Sequence, residues 1–345
     1  MNAISKGIVY PYGEAQCSGQ IKQYAEDFRV VEQLGFTPGG SGEHLFLFIQ
    51  KNGLTTQQLI TQIAEQLGVS ARQIGYAGLK DKQAVTRQWL SIQLPGCKQT
   101  PEIKPDEHFQ VLESDWHDKK LRVGAHRSNR FEVVIRNVSG LCENLPGRVS
   151  QIEKHGFANY FGEQRFGAQQ DNVAQALKVL NNRHKSKRLN RNKKGLYLSA
   201  LRSELFNRIL SRRISLGHWT DPLDGDVCLL AGTQSVFSEP LSDEIRRRYA
   251  EFDLHSGISL YGIGESRLSG QALAIEKELI DTQPAICETL LNEKIKRSFR
   301  ANRAIARDLK IDYSAHNKEI RCQVELDKGV YLTTLLNHFV QTNVY

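Results

Sequence analysis

A chain of 345 residues is long enough for two domains, or for one large domain that carries an insertion. Apolar residues make up 40% of it and charged residues 24%, as in soluble globular proteins, and its densest apolar stretch, Leu45–Ile49, is far too short to span a bilayer. Lys and Arg number 46 against 38 acidic residues, and the resulting net charge of +8 is compatible with a polyanionic partner but does not establish one.

The cysteines indicate a reducing compartment. No two of the six lie close enough to form a CxxC pair, so they are interpreted as reduced core residues. The N-terminus lacks a basic region followed by an apolar stretch, which is the pattern of a signal peptide. We therefore expect a cytoplasmic protein that does not associate with membranes.

The first part of the chain predicts strands followed by a helix. Residues 29–32 and 44–50 are rich in apolar and aromatic residues and predict two strands, the second of them buried. Thr55 or Thr56 can cap a helix that runs to Gln66, because the apolar residues after it recur at helical spacing. Gly68 is a natural end for that helix.

The next segments alternate between exposed and buried patterns. Residues 75–84 (GYAGLKDKQA) predict an exposed loop, and residues 89–92 predict a strand. Residues 93–118 show little pattern and predict a connection. Residues 131–137 alternate well enough for a further strand.

Helical patterns predominate after residue 150. Residues 172–181 and 198–214 predict helices, and near the end residues 319–326 predict a strand and residues 333–340 a short amphipathic helix. Between the first two helices, seven of the twelve residues 183–194 are Lys or Arg and none is acidic. This run is either a solvated or disordered loop or a loop that grips RNA phosphates and orders on binding. The phosphate contacts would be Arg183, Lys185, Lys187, Arg188 and Arg191.

Asp81 is the residue best placed to carry chemistry. It lies between Lys80 and Lys82, whose positive charge favours the ionised carboxylate, and such a carboxylate can act as a nucleophile or a base. A surface loop with solvated charges would look the same locally. The aromatic residues Phe28 and Phe131 lie at element boundaries, where they either stack on a base or pack in the core.

Several other chemistries have no support in the sequence. The ten histidines show no HxH or HExxH spacing that would predict a metal site. A GxxxxGK[ST] phosphate loop and a GxSxG elbow are absent, and Gly262-Ile-Gly264 lacks the third glycine of a dinucleotide fingerprint.

Six motifs follow one another in a fixed order along most of the chain. They are Glu26–Glu32 (EDFRVVE), Gly78–Trp89 (GLKDKQAVTRQW), Val123–Phe131 (VGAHRSNRF), Asn159–Gly167 (NYFGEQRFG), Leu198–Asn207 (LSALRSELFN) and Asp224–Asp226 (DGD). In this order and spacing the sequence resembles the tRNA pseudouridine synthase D family.

The resemblance implies an α+β protein of two domains. Residues 1–155 and 305–345 would form a pseudouridine synthase catalytic domain with a mixed, mainly antiparallel sheet. Residues 156–304 would form an inserted α/β domain that is peculiar to the family. The implied activity is the isomerisation of uridine to pseudouridine in transfer RNA, at position 13, without cofactor or metal. No protein partner is implied, and we expect a monomer.

The resemblance also implies roles for single residues. Asp81 matches the catalytic aspartate, while Phe28, Asn129 and Phe131 match residues that line the uracil pocket. Tyr331 stands where relatives have a phenylalanine, and we expect it to stack on the base as well. The sequence favours Lys22 as the basic partner of Asp81, with Lys80 and Lys82 as alternatives, and Lys80 is also a candidate substrate contact.

Two other functions remain open at this point. A non-catalytic RNA-binding or RNA-chaperone protein of the same fold would bind transfer RNA without isomerising it. A metal-dependent RNA phosphoesterase that uses Asp81 is disfavoured, because no second acidic residue clusters near Asp81 in the sequence.

Overall fold

The computed structural model describes residues 7–344, apart from residues 98, 168 and 234, and it describes residues 183 and 344 by their backbone alone. The side chain of Arg183, one of the expected phosphate contacts, therefore lies outside the described residues. The chain divides into two compact units. The sheet unit comprises Gln16–Leu145, Ala306–Leu332 and residues 340–344, and the helical unit comprises residues 7–15, Pro146–Ile305 and Thr333–Phe339.

The described residues form sixteen strands and nine helices. The strands are β1 (Cys17–Ile21), β2 (Phe28–Leu34), β3 (His44–Lys51), β4 (Ile74–Tyr76), β5 (Val85–Gln93), β6 (Phe109–His117), β7 (His126–Gly140), β8 (Phe157–Ala158), β9 (Val227–Leu230), β10 (Val236–Ser238), β11 (Leu254–Leu260), β12 (Ser298–Ala301), β13 (Arg303–Ala304), β14 (Arg307–Ser314), β15 (Glu319–Asp327) and β16 (Gln341–Val344). The helices are α1 (Thr56–Leu67), α2 (Leu145–His155), α3 (Asn172–Leu180), α4 (Arg183–Arg188), α5 (Arg191–Ser215), α6 (Asp243–Ala250), α7 (Gly270–Asp281), α8 (Pro284–Asn292) and α9 (Leu332–Leu336).

Ten strands of the sheet unit form one sheet. Seven of them lie in the order β14-β15-β7-β2-β5-β3-β6, while β1 pairs with β7 and β16, and β4 pairs with β5. The β1–β16 and β2–β5 pairs are parallel, and the others are antiparallel. The expected mixed, mainly antiparallel sheet is confirmed.

Helix α1 covers one face of this sheet. Its N-cap is Thr55, whose hydroxyl accepts a hydrogen bond from Gln58 N at 3.2 Å, while the Gln58 side chain accepts one from Thr55 N at 2.9 Å. Gly68 ends the helix in the left-handed conformation with φ 64°. The buried side chains of α1, among them Leu59 and Ile63, pack against apolar residues of β3 and β5. The helix and both of its ends agree with the sequence-based prediction.

The helical unit is built around α5. Its four-stranded sheet has the order β10-β9-β11-β12 and is antiparallel throughout, so this unit is α+β in the strict sense and not the α/β arrangement expected for it. Of its connections only the one between β9 and β10 is short; α6 lies between β10 and β11, and α7 and α8 lie between β11 and β12. Arg213 of α5 forms a buried ion pair with Asp226, at 2.6 Å, and Ser256 donates to the same carboxylate. The DGD motif therefore ties β9 and β11 to the central helix.

Residues 93–118 differ from the expected connection, because they contain the nine-residue strand β6. It pairs with β3 over its whole length at the edge of the sheet. Most side chains of β6 are exposed or half-buried, so the strand lacks the alternation of apolar residues by which strands are recognised. Backbone hydrogen bonds to β3 hold the strand in place, and these bonds leave no pattern in the sequence.

The C-terminal helix is also shorter than expected. Helix α9 ends at Leu336, and residues 337–340 form turns instead of the further helical turn that the apolar pattern predicts. His338 is fully buried there: its Nε2 accepts a hydrogen bond from Ala158 N at 3.0 Å, and its Nδ1 donates to Thr334 O at 2.8 Å. A specific tertiary contact thus overrides the local helical preference.

The two compact units begin and end at other residues than the domain boundaries expected from the sequence. Residues 7–15, 146–155 and 333–339 were expected in the catalytic domain, but they pack within the helical unit. There Tyr12 Oη donates to Gly156 O at 2.5 Å, and Tyr160 Oη donates to Val9 O at 2.7 Å. These contacts join residues more than 140 positions apart, and composition along the chain gives no sign of them.

No helix of the described residues combines the length and the apolar character that crossing a membrane requires.

Candidate active site

The loop between β4 and β5 carries Asp81, and two hydrogen bonds to its backbone and one side-chain ion pair hold it in place. Lys51 Nζ donates to Asp81 O at 2.7 Å, and the Thr56 hydroxyl accepts from Lys80 N at 2.9 Å. Lys80 Nζ forms an ion pair with Glu32 at 2.5 Å, and both side chains are buried. Residues 79 and 81–83 are exposed, as expected, but residues 75 and 76 belong to β4, and residues 75, 77 and 84 are buried. Buried groups beneath the loop determine its position.

Asp81 itself is half-exposed and paired with Lys22. Lys22 Nζ donates to Asp81 Oδ2 at 2.6 Å, and the side chains are 10% and 48% exposed, respectively. The expected pairing of these two residues is thus present. Within the described residues, Oδ1 of Asp81 has no hydrogen-bond partner. One oxygen is oriented by the ammonium group, and the other is accessible to a reacting atom.

The backbone at Lys22 is unusual. The residue follows β1 with φ 61°, a left-handed conformation that non-glycine residues rarely adopt. Such a conformation costs about 1–2 kcal/mol and persists only where other contacts stabilise it. Here the ammonium group gains both the Asp81 carboxylate and the face of Phe28, whose ring centroid lies 4.5 Å from Nζ.

Two aromatic rings adjoin the Lys22–Asp81 pair. Phe28 is buried at the start of β2, and Phe131 is half-buried on the neighbouring strand β7. Their ring centroids are 6.3 Å apart, with an interplanar angle of 75°, which is the edge-to-face arrangement that aromatic pairs favour. The charged pair and the aromatic pair therefore form one continuous site within the sheet unit.

Asn129 lies on the same face of β7 as Phe131, because the two residues are two positions apart on one strand. Glu32 of β2 stands opposite Asn129 in the antiparallel pair. Oδ1 of Asn129 is buried and has no hydrogen-bond partner in the described part of the chain. A buried acceptor without a partner is unfavourable, so this atom is suited to receive a donor from a ligand.

Tyr331 is placed at the edge of the same region. It is half-buried and follows β15, which runs beside β7 so that Leu326 stands opposite Asn129. Lys328 Nζ donates to Gly124 O at 2.8 Å and attaches this segment to the turn before β7. The substrate-stacking role of Tyr331 stays a prediction.

The sequence analysis missed four residues that support the site. Lys51 and Thr56 bond the loop backbone, and Glu32 pairs with Lys80 and also accepts from Trp89 N at 3.1 Å. His126 is buried against the loop, where burial and then the charge of Lys80 lower its pKa. A methyl group at Gly78 would lie 3.3 Å from this imidazole, so a side chain there would require a small shift of His126. One signal was available: Lys51 is a charged residue at the end of a strand whose middle, Leu45–Ile49, is apolar.

The basic run of residues 183–194 was expected to be a loop, and this prediction was wrong. It forms α4 and the start of α5, with Asn182 and Asn190 as N-caps that accept from Lys185 N and Lys193 N at 3.1 and 2.8 Å. The like charges are tolerated because they are exposed. Lys185, Lys187, Arg188 and Arg191 are all exposed, and within the described residues they have no ion-pair partner, whereas Lys194 pairs with Glu293.

Among the described residues, no three His, Cys, Asp or Glu side chains are grouped as metal ligands.

Comparison with known proteins identifies the family. The model of the family described as tRNA pseudouridine synthase D matches residues 7–186 and 170–339. This chain belongs to the tRNA pseudouridine synthase D family. A protein of Methylococcus capsulatus named tRNA pseudouridine synthase D is 38% identical over 335 residues, which cover 96% of this chain and 93% of that protein. One of the same name from Idiomarina loihiensis is 39% identical over 325 residues, covering 93% and 91%.

A solved structure shares the fold of this family member. The crystal structure of a candidate tRNA pseudouridine synthase D from Methanosarcina mazei superimposes with a TM-score of 0.79, covering 98% of this chain and 97% of that one. Its sequence identity is only 19%, so the match concerns the fold. The expected α+β class is confirmed.

Proposed function

We propose that this protein is a tRNA pseudouridine synthase that isomerises uridine at position 13 of transfer RNA, with Asp81 as its catalytic residue. The observation that carries the proposal is the half-exposed Asp81 carboxylate, oriented by Lys22 beside the Phe28–Phe131 pair, in a chain of this family. The position within transfer RNA rests on the family resemblance alone.

The proposed reaction breaks the N1–C1′ bond of uridine, turns the uracil and joins C1′ to C5, after which C5 releases a proton and N1 takes one up. Atoms balance within the nucleotide apart from that exchanged proton, so the isomerisation itself calls for no oxidant, reductant or hydrolytic water. The free oxygen of Asp81 acts either as the nucleophile at C1′ or as the base at C2′, which would give a glycal. In both routes Lys22 orients the carboxylate.

The neighbouring residues suit a base that has left the RNA stack. Flipping a base costs a few kcal/mol, and stacking on an aromatic side chain returns about 1–3 kcal/mol. Phe131 is the proposed stacking surface, Phe28 supports its ring, and Tyr331 stacks from the neighbouring segment. The unpartnered Oδ1 of Asn129 would accept a hydrogen bond from the uracil N3–H. Because Lys80 Nζ is buried against Glu32, we propose that it positions the loop without touching the substrate.

The proposal predicts that the purified protein releases tritium from 5-labelled uridine in unmodified transfer RNA, and that the new pseudouridine maps to position 13. Activity should persist in excess chelator, whereas a metal-dependent phosphoesterase would lose activity there. Tight binding of transfer RNA without tritium release would favour the non-catalytic RNA-binding alternative. Modification of a uridine elsewhere in the transfer RNA would contradict the assignment to position 13 but not the reaction.

We also propose that the protein is a monomer that acts in the cytoplasm without a protein partner.

We further propose that the exposed basic side chains of α4 and the first turn of α5 bind phosphates of the RNA backbone. Replacing Lys185, Lys187, Arg188 and Arg191 by glutamine should weaken binding. It should also lower the slope of log affinity against log salt by about 0.7 to 0.9 for each phosphate that the variant no longer neutralises. Filter binding at several salt concentrations measures this slope.

A matched control neutralises four basic residues of the same unit that already form ion pairs, namely Arg208, Arg212, Arg246 and Arg247. This control should leave the salt dependence nearly unchanged. Equal slopes for the wild type and the α4–α5 variant would refute the phosphate-binding role.

A further inference from the structure

Lys51 is a fully buried lysine whose ammonium group has two backbone carbonyls as partners. It ends strand β3, and Nζ donates to Leu54 O at 2.6 Å and to Asp81 O at 2.7 Å. No carboxylate of the described residues lies within ion-pair distance of this nitrogen. Burial lowers the pKa of Lys51 to about 8, although the negative charge of Asp81 acts in the opposite direction.

The fold alone gives a poor reason for this residue. Transferring an ammonium group from water into a protein interior is unfavourable, and a carboxylate partner usually compensates. An apolar side chain of the same length would fill the same space without that penalty. A group retained in spite of such a penalty points to a requirement other than stability.

The two hydrogen bonds connect the sheet to the reacting group. Strand β3 lies between β5 and β6, so its end is a rigid support. From that support Lys51 holds the backbone of Asp81, while Lys22 holds its side-chain carboxylate from β1. Asp81 is therefore fixed at both ends, and the angle at which its free oxygen meets the substrate depends on both lysines.

We propose that Lys51 is a positioning residue for the isomerisation: its buried ammonium group fixes the backbone of Asp81 so that the carboxylate meets the ribose at the correct angle. This inference rests on the proposed function. It assigns a role to a residue that contacts neither the RNA nor the reacting atoms.

The proposal predicts that activity and stability separate in Lys51→Met. Methionine matches the unbranched length of lysine and removes its charge. Misplacement by about 1 Å can reduce a rate about a hundredfold, so kcat should fall by about ten- to a hundredfold. KM and the dissociation constant for transfer RNA should stay within about twofold. The thermal midpoint should change little, because removal of a buried charge offsets the loss of the donor for Leu54 O and Asp81 O.

The pH profile gives a second readout. Protonated Lys51 is present below pH 8 and lost as the pH rises through about 8, so kcat of the wild type should decline there, whereas Lys51→Met should lack this step. Several other charged groups surround Lys51 or line the surface cavity that it borders. They are Lys80 and Asp81 on the loop, and Glu26, Arg29, Asp106, Glu107 and His108 around the cavity.

Lys104→Met serves as the matched control, because Lys104 is exposed in the same unit and should change neither rate nor midpoint. A wild-type kcat in Lys51→Met overturns the proposal. A parallel fall of midpoint and kcat with an unchanged pH step also overturns it, since Lys51 would then be a structural support only. If Lys51→Met does not fold, the pH step is tested in Lys51→Gln, and its persistence there refutes the role. An inactive wild type, read in the same assay, would instead refute the proposed function and this inference with it.

Discussion

Asp81→Asn should reduce pseudouridine formation by at least about a thousandfold, while the dissociation constant for transfer RNA changes by less than about twofold. Asparagine has the shape of aspartate, but its amide is neither a nucleophile at C1′ nor a base at C2′. RNA affinity should persist because phosphate contacts supply most of it, and Asp81 is a single acidic side chain. Tritium release measures the rate, and filter binding measures the affinity.

Asp118→Asn is the control for this substitution, because Asp118 is an exposed aspartate in the same unit and its replacement changes the net charge equally. It should retain the wild-type rate. Substantial turnover by Asp81→Asn would mean that Asp81 takes no part in the chemistry. Loss of both turnover and RNA binding would mean that the substitution disrupts the loop. Thermal unfolding of both variants separates the second outcome from a catalytic effect.

The sequence predicted those parts of the site that depend on local pattern. The capped helix α1, the exposed loop at Asp81 and strand β3 all have short-range signals: a capping box, a glycine stop and an apolar run. The pairing of Lys22 with Asp81 was also anticipated, from the place of Lys22 in the segment that leads into Glu26–Glu32, with Lys80 and Lys82 as alternatives. The catalytic roles themselves remain predictions.

The supports of the loop could not be predicted, because they depend on long-range register. Glu32 reaches Lys80 only because β2 lies beside β5 in parallel, and Lys51 reaches Asp81 only because β3 ends beneath the loop. Edge strand β6 was not predicted for a related reason, because its stability comes from backbone pairing and not from its side chains. The helices of the basic run begin at asparagine caps, and α5 continues into a buried face that lies far beyond the run.

The buried Glu32–Lys80 pair should dominate the stability of the loop. Removing one partner from a buried pair leaves an uncompensated charge, which typically costs about 3–5 kcal/mol. Both side chains are almost inaccessible, so Lys80→Met and Glu32→Leu should each lower the free energy of unfolding by about that amount. Urea denaturation measures the loss through the fluorescence of Trp89, whose backbone N–H donates to Glu32.

The double variant Glu32→Leu/Lys80→Met should regain much of this stability, because replacing both partners by apolar groups removes both charges. Its catalytic rate should stay low, since Lys80 no longer ties the loop of Asp81 to β2. The exposed pair of Arg247 and Glu251 provides the control cycle, with a far smaller coupling expected because solvent screens it. If the double variant were both stable and fully active, Lys80 would not position Asp81. If the double variant lost as much free energy of unfolding as the two single variants together, the two charges would not act as a pair. The hydrogen bonds of Lys51 and Thr56 would then be the ones that hold the loop.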